Sequence, residues 1–101
     1  MFEVAFDVDG TLLDYHSNPR EEVLKLMESF LNLNAKVYIW SGCGIQYADG
    51  VRNLLINRFG YKFVSRTEII GKGSKKVDLA IDDQNVVLGT ANFRTNPLED
   101  L

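Results

Sequence analysis

Apolar residues along this chain gather into five short runs: Phe2–Val8, Lys36–Trp40, Tyr61–Val64, Val77–Ile81 and Val87–Phe93. Each is close to strand length and rich in β-branched and aromatic side chains, so each reads as a strand. The apolar character is continuous rather than alternating, which points to strands covered on both faces, as in a parallel sheet. Between the first two runs, Val23, Leu26, Met27, Phe30 and Leu33 recur at helical spacing and predict one stripe facing the sheet. Asn18, Pro19 and Glu21 fit an N-cap, a first-turn proline and a capping-box acid for that helix. A second helix is predicted from about Ile45 to Phe59, with Val51, Leu54 and Leu55 inward and Gly60 as its stop. The stretch from Ser65 to Lys76 holds no helical pattern and reads as a loop or a single turn.

Strand–helix–strand–helix–strand is the order of a doubly wound α/β domain. With 101 residues there is one core, read as a single domain over 1–101. A net charge of −3 argues against a protein whose main work is gripping a nucleic-acid backbone, while leaving room for a local basic patch. The lone Cys43 cannot form an intrachain disulfide, and a reducing, cytoplasmic setting is the simpler expectation. The first residues reach two acids before any long apolar run, unlike a signal peptide. No stretch approaches the roughly 18 apolar residues of a membrane span.

In open α/β sheets the ligand crevice lies beyond the carboxyl ends of the strands. Polar chemistry stands at three such ends: Asp7 and Asp9 after the first run, Ser41 after the second, Asp82 and Asp83 after the fourth. Asp7-Val8-Asp9-Gly10-Thr11 is the most specific of these, expected by chance in about one chain in a thousand of this length. An aspartate is ionised at neutral pH at its ordinary pKa, so it can attack phosphorus without an activating base. That matters in a chain with one histidine, His16, which reads as a solvent-facing loop residue. If Asp7 attacks, Asp9 is placed to protonate the leaving oxygen and later to deprotonate water. Gly10 allows the turn that brings it there.

Several carboxylates cannot meet a phosphate dianion without cations. Each like-charge contact near 4 Å costs roughly 4 kcal/mol at an effective dielectric of 20. A hard divalent ion, Mg²⁺, suits such oxygen ligands. Ser41 offers a hydroxyl and Gly42 a close backbone approach to the phosphate, and Cys43 reads as a spectator. A lysine should balance the charge. Spacing to Asp82 favours Lys75, then Lys76, then Lys72.

The chain resembles the haloacid dehalogenase-like superfamily, in its small, uncapped phosphatase branch. Phe6-Asp7-Val8-Asp9-Gly10-Thr11-Leu12-Leu13-Asp14 is similar to the first motif and Val37-Tyr38-Ile39-Trp40-Ser41-Gly42 to the second. A lysine of Gly71–Lys76 stands for the third, and Leu79-Ala80-Ile81-Asp82-Asp83 for the fourth. The resemblance implies a Rossmann-like domain with strand order 3-2-1-4-5, helices on both faces and no cap domain. It implies a Mg²⁺-dependent phosphomonoesterase with catalytic Asp7, Asp9, Ser41 and Lys75. Ser41, Gly42, Thr11 and Lys76 would contact substrate. Metal would be held by Asp7, the backbone carbonyl of Asp9 and Asp83, with Asp82 auxiliary. An uncapped site implies a large substrate or a neighbouring copy of the chain as lid. Three other readings compete: a non-catalytic metal- or phosphate-binding module of the same fold, a phosphoacceptor receiver domain, and a true dehalogenase. The receiver pattern needs an acid after the third strand, where Ser65-Arg66 stand, and a dehalogenase does not need Asp9.

Overall fold

The computed structural model describes residues 1–96. Five strands, β1 (Glu3–Phe6), β2 (Lys36–Ile39), β3 (Glu68–Ile69), β4 (Val77–Asp82) and β5 (Gly89–Arg94), form one sheet. Every pairing is parallel, and the order is β3-β2-β1-β4-β5, as expected. Phe6 pairs with Ile39 on one side and Ile81 on the other, so the three central strands end level. Whatever follows them must share one edge. That register brings Asp7, Ser41 and the Asp82-Asp83 pair together.

Two helices accompany the sheet, α1 (Glu21–Asn32) and α2 (Ile45–Asn57). α1 buries Val23, Leu24, Met27 and Leu31. The expected stripe is therefore rotated: Leu26 is 38% and Leu33 78% exposed, and Phe30 is only half-buried. The expected cap is also displaced. Pro19 is held in a bridge with Leu13, and the Arg20 N–H donates to the Leu12 carbonyl at 2.8 Å. Both residues are thus committed to extended structure, and the helix begins one residue after Arg20. α2 buries Ala48, Val51 and Leu55, while Leu54 is half-buried. The helix stops at Asn57, and Gly60 follows in the left-handed region at φ 79°.

The third apolar run is not a strand. Lys62–Arg66 wind into a 3₁₀ turn that drives Val64 fully into the core, and the pairing segment follows at Glu68–Ile69. The Thr67 N–H and hydroxyl both donate to the Val64 carbonyl, closing that turn before the strand starts.

The expectation of helices on both faces is also corrected. The buried residues of α1 and α2 belong to one apolar cluster with Val4, Phe6, Val37 and Ile39. The alternate positions, Ala5, Tyr38 and Trp40, face a second cluster completed by Val77, Ala80, Ile70 and Leu88. The reason is chain length. A helical crossover between parallel strands takes a dozen or more residues, but only 70–76 join β3 to β4 and 83–88 join β4 to β5. Segment 70–76 lies on the sheet as a strap. It is fixed at the carboxyl edge by the Ile70 N–H on the Ile39 carbonyl and at the amino edge by Lys75 on Glu3.

Candidate active site

Asp7 continues β1 past its last residue, its N–H donating to the Ile81 carbonyl at 3.0 Å. Asp82 ends β4 and Asp83 follows it. One carboxylate oxygen from each of Asp7, Asp82 and Asp83 lies within 4.8 Å of the other two, and all three residues are buried. Beyond Asp7 the chain turns sharply, with the Thr11 and Leu13 N–H groups both donating to the Val8 carbonyl. Gly10 makes that turn at φ 80°, and a β-carbon there would overlap the Asp83 carboxylate, only 2.6 Å from its Cγ. The buried Arg20 guanidinium braces the turn, donating to the Gly10 carbonyl and the Thr95 hydroxyl, each at 2.9 Å. The Thr95 N–H in turn donates to the Asp82 carbonyl.

Lys72 closes the cluster, its Nζ 3.1 Å from Asp7 Oδ1 and 2.7 Å from Asp82 Oδ2. Burial, then the neighbouring Asp82 charge, push the Asp7 carboxyl up to about 7, against the pull of Lys72. Burial also raises Asp83, but hydrogen bonds from Tyr15 (2.5 Å) and Gln84 (3.2 Å) outweigh it and hold this carboxyl below its ordinary range. For Lys72 burial works against the charge, yet Asp82 and Asp7 prevail and its pKa is raised. The donor set is oxygen only and carries more negative charge than one lysine offsets, which fits a hard divalent cation. Asp7, Asp82 and Asp83 together could hold such an ion, with Lys72 sharing the charge of Asp7 and Asp82.

Not every expected residue arrives. Lys75, favoured from spacing, donates instead to Glu3 at 2.6 Å and lies over the Tyr38 ring. Lys76 is exposed next to Val77, the first residue of β4. A six-residue strand separates its two ends by about 16 Å, so both lysines stand at the wrong edge. Spacing to Asp82 along the chain does not fix which lysine reaches it: in a descending strap the lysine nearest β3 meets the acids. Thr11, read as a substrate contact, is fully buried beneath the turn. Ser41 is buried at the carboxyl edge, its Oγ accepting the Cys43 N–H at 3.0 Å. Gly42 is exposed, with open space around it. Asp9 is exposed outside the three-acid cluster, its Oδ1 accepting the Tyr47 hydroxyl at 2.6 Å. His16 is solvent-facing, as expected.

Sequence reasoning missed Tyr15, Tyr47, Gln84 and Arg20. Tyr47 alone gave a signal, a polar-tipped aromatic in the first turn of a helix that starts at the strand edge. The Arg94 Nε also donates to the Asp83 carbonyl at 3.2 Å, bringing β5 to the rim.

Compared with models of protein families, with curated proteins and with solved structures, the chain matches none. Among the described residues no helix is long and apolar enough to cross a membrane.

Proposed function

We propose that the protein is a Mg²⁺-dependent phosphomonoesterase of the haloacid dehalogenase-like type, with Asp7 as nucleophile and Asp9 as general acid/base. One observation carries the reading: Asp7, Asp82 and Asp83 converge within 4.8 Å at the carboxyl edge, with Lys72 paired to two of them. Mg²⁺, when bound, supplies the charge that draws in a phosphate dianion and favours the ionised form of Asp7. Asp7 attacks phosphorus as the leaving oxygen takes a proton from Asp9, giving an aspartyl phosphate. Asp9 then accepts a proton from the water that attacks that phosphate. Lys72, rather than Lys75, offsets charge between nucleophile and phosphate oxygens. Ser41 sits at the neighbouring strand end, where its hydroxyl can turn toward a phosphate oxygen. Among the described residues no cap covers this edge, so a bulky substrate or a second copy of the chain completes it. The exposed, free Cys43 fits a cytoplasmic setting.

Hydrolysis of an activated aryl phosphate by the purified protein is the test. Turnover should require Mg²⁺, stop with excess chelator and be absent in Asp7→Asn. Undiminished turnover in chelator would sink the proposal. The non-catalytic binding module is favoured by one observation, the Tyr47 hydroxyl already seated on Asp9. Saturable Mg²⁺ and phosphate binding with no turnover of any phosphomonoester would select that reading.

A further inference from the structure

The acid/base assigned to Asp9 faces a difficulty that its neighbours do not. Asp7, Asp82 and Asp83 are buried and fixed by Lys72, Tyr15 and Gln84, whereas Asp9 is exposed. A short exposed side chain samples several rotamers, and proton transfer needs one geometry. The contact that supplies it comes from another element. Tyr47, in the first turn of α2, donates its hydroxyl to Asp9 Oδ1 at 2.6 Å. The next residue, Ala48, is fully buried against the sheet, so this turn of the helix is anchored. Ser41 holds the entry to the same turn, accepting the Cys43 N–H on its Oγ and the Gly44 N–H on its carbonyl.

We propose that Tyr47 is a positioning residue, whose hydroxyl holds Asp9 through Oδ1 and leaves Oδ2 as the oxygen that exchanges protons with the reacting groups. The inference rests on the phosphomonoesterase reading and deepens it. In the first step the Asp7 oxygen forms a bond to phosphorus and the bond from phosphorus to the leaving oxygen breaks. The proton on Asp9 Oδ2 passes to that oxygen, giving the free alcohol. In the second step water oxygen bonds to phosphorus, the bond from phosphorus to Asp7 breaks, and a water proton returns to Asp9 Oδ2. Tyr47 gives up no proton in either step. A phenol at its ordinary pKa ionises only at about pH 10, so Tyr47 remains a donor throughout the neutral range. The same interaction that favours the binding-module reading thus has a catalytic use.

Tyr47→Phe is the decisive variant, because it keeps the ring and removes one oxygen. General acid/base catalysis contributes roughly 10²–10⁴-fold, so losing its orientation should cost about tenfold or more. With Mg²⁺ present, kcat for an alkyl phosphate should fall by about that factor while KM stays within about twofold. The pre-steady-state burst from 4-nitrophenyl phosphate should stay near wild type, because its phenolate leaves without a proton, while the steady state that follows slows. An alkyl-phosphate kcat equal to wild type would overturn the role of Tyr47 alone. So would equal losses in burst and steady state, which mark a merely structural effect. Wild-type protein that turns over neither substrate would refute the phosphomonoesterase reading, and this role with it. Tyr47→Ala serves as a second variant: it should lose at least as much kcat as Tyr47→Phe, and a smaller loss would count against the proposal.

Discussion

The Lys72 ammonium lies 2.7 Å from the carboxylate of Asp82, a side chain only 1% exposed at the end of β4. Nine residues of chain lie between the two, and they descend the open face of the sheet and return as β4. The strap is thus both the cover of the second apolar layer and the arm that delivers the positive charge. Because Lys72 also lies 3.1 Å from Asp7, one ammonium pairs with carboxylates from two adjacent strands.

Lys72→Met should therefore be the one severe substitution among the strap lysines. Breaking a buried pair leaves a carboxylate uncompensated at a cost of roughly 3 kcal/mol, and phosphate would lose its donor, for a loss of about 10²-fold or more in kcat. Lys75→Met removes a half-exposed, solvent-screened pair with Glu3 and should leave kcat within about threefold. Lys76→Met should do the same. Steady-state kinetics and thermal melts of the three variants check this. A severe kinetic loss in Lys75→Met would return the phosphate contact to that residue.

The strands β1, β2 and β4 and the acid edge were legible because both follow from patterns within single elements, whereas the strand order came from the resemblance. An apolar run ending in Asp7 or in Asp82-Asp83 states both the strand and what lies at its tip. The lysine was not legible, because its place depends on how 70–76 crosses the sheet, and no local pattern encodes a strap. The third strand was misplaced for a related reason: Val64 must be buried, but a 3₁₀ turn buries it as well as a strand would. Helices on both faces followed from the resemblance, yet connections of seven and six residues, 70–76 and 83–88, could have excluded the second pair. Tyr15 is a tertiary partner, invisible until the loop is in place, and Tyr47 showed only its position in the first turn of α2, not its partner.

The Asp7 carboxyl, raised from 3.8 to about 7, makes metal-free stability fall with rising pH. Between those values the folded state binds more protons than the unfolded one. The stabilisation is full below the unfolded value and lost as pH rises through about 7. Asp83, held low, has the opposite sign: its contribution is present at neutral pH and lost as pH falls through its folded value. Metal-free protein should thus melt higher at about pH 5.5 than at about pH 7.5, and Mg²⁺ should raise the melting temperature most at the higher pH. Asp7→Asn should flatten the pH dependence and abolish most of the Mg²⁺ response. Equal Mg²⁺ stabilisation in wild type and Asp7→Asn would remove Asp7 from the cation site.

Gly10→Ala tests how tightly the turn and the acids are built together. A left-handed alanine costs roughly 1–2 kcal/mol, and its β-carbon must also displace Asp83 and the Tyr15 ring, 2.9 Å away. The variant should lose at least about 2 kcal/mol, a fall of roughly 10 °C or more for a domain this size. Because Asp83 moves, the Mg²⁺ concentration for half-maximal activity should rise sharply. Unchanged Mg²⁺ dependence would mean that Asp83 does not ligate the ion.

The assignment of Asp9 makes its own kinetic demand. Protonating a departing oxygen matters most for a poor leaving group and little for a stabilised phenolate. Asp9→Asn should slow alkyl phosphate cleavage far more than formation of the phosphoenzyme from an activated aryl phosphate. Attack of water on the aspartyl phosphate should be slow for every substrate, because its base is gone. Rapid mixing should then show a burst of phenolate followed by a slow steady state, with the aspartyl phosphate accumulating between them. Tyr47→Phe should show a weaker form of the same pattern, and the double variant should be no worse than Asp9→Asn, because the hydroxyl acts only through that carboxylate. Equal slowing of the burst for good and poor leaving groups would contradict the acid/base role and leave Asp9 as a structural part of the turn.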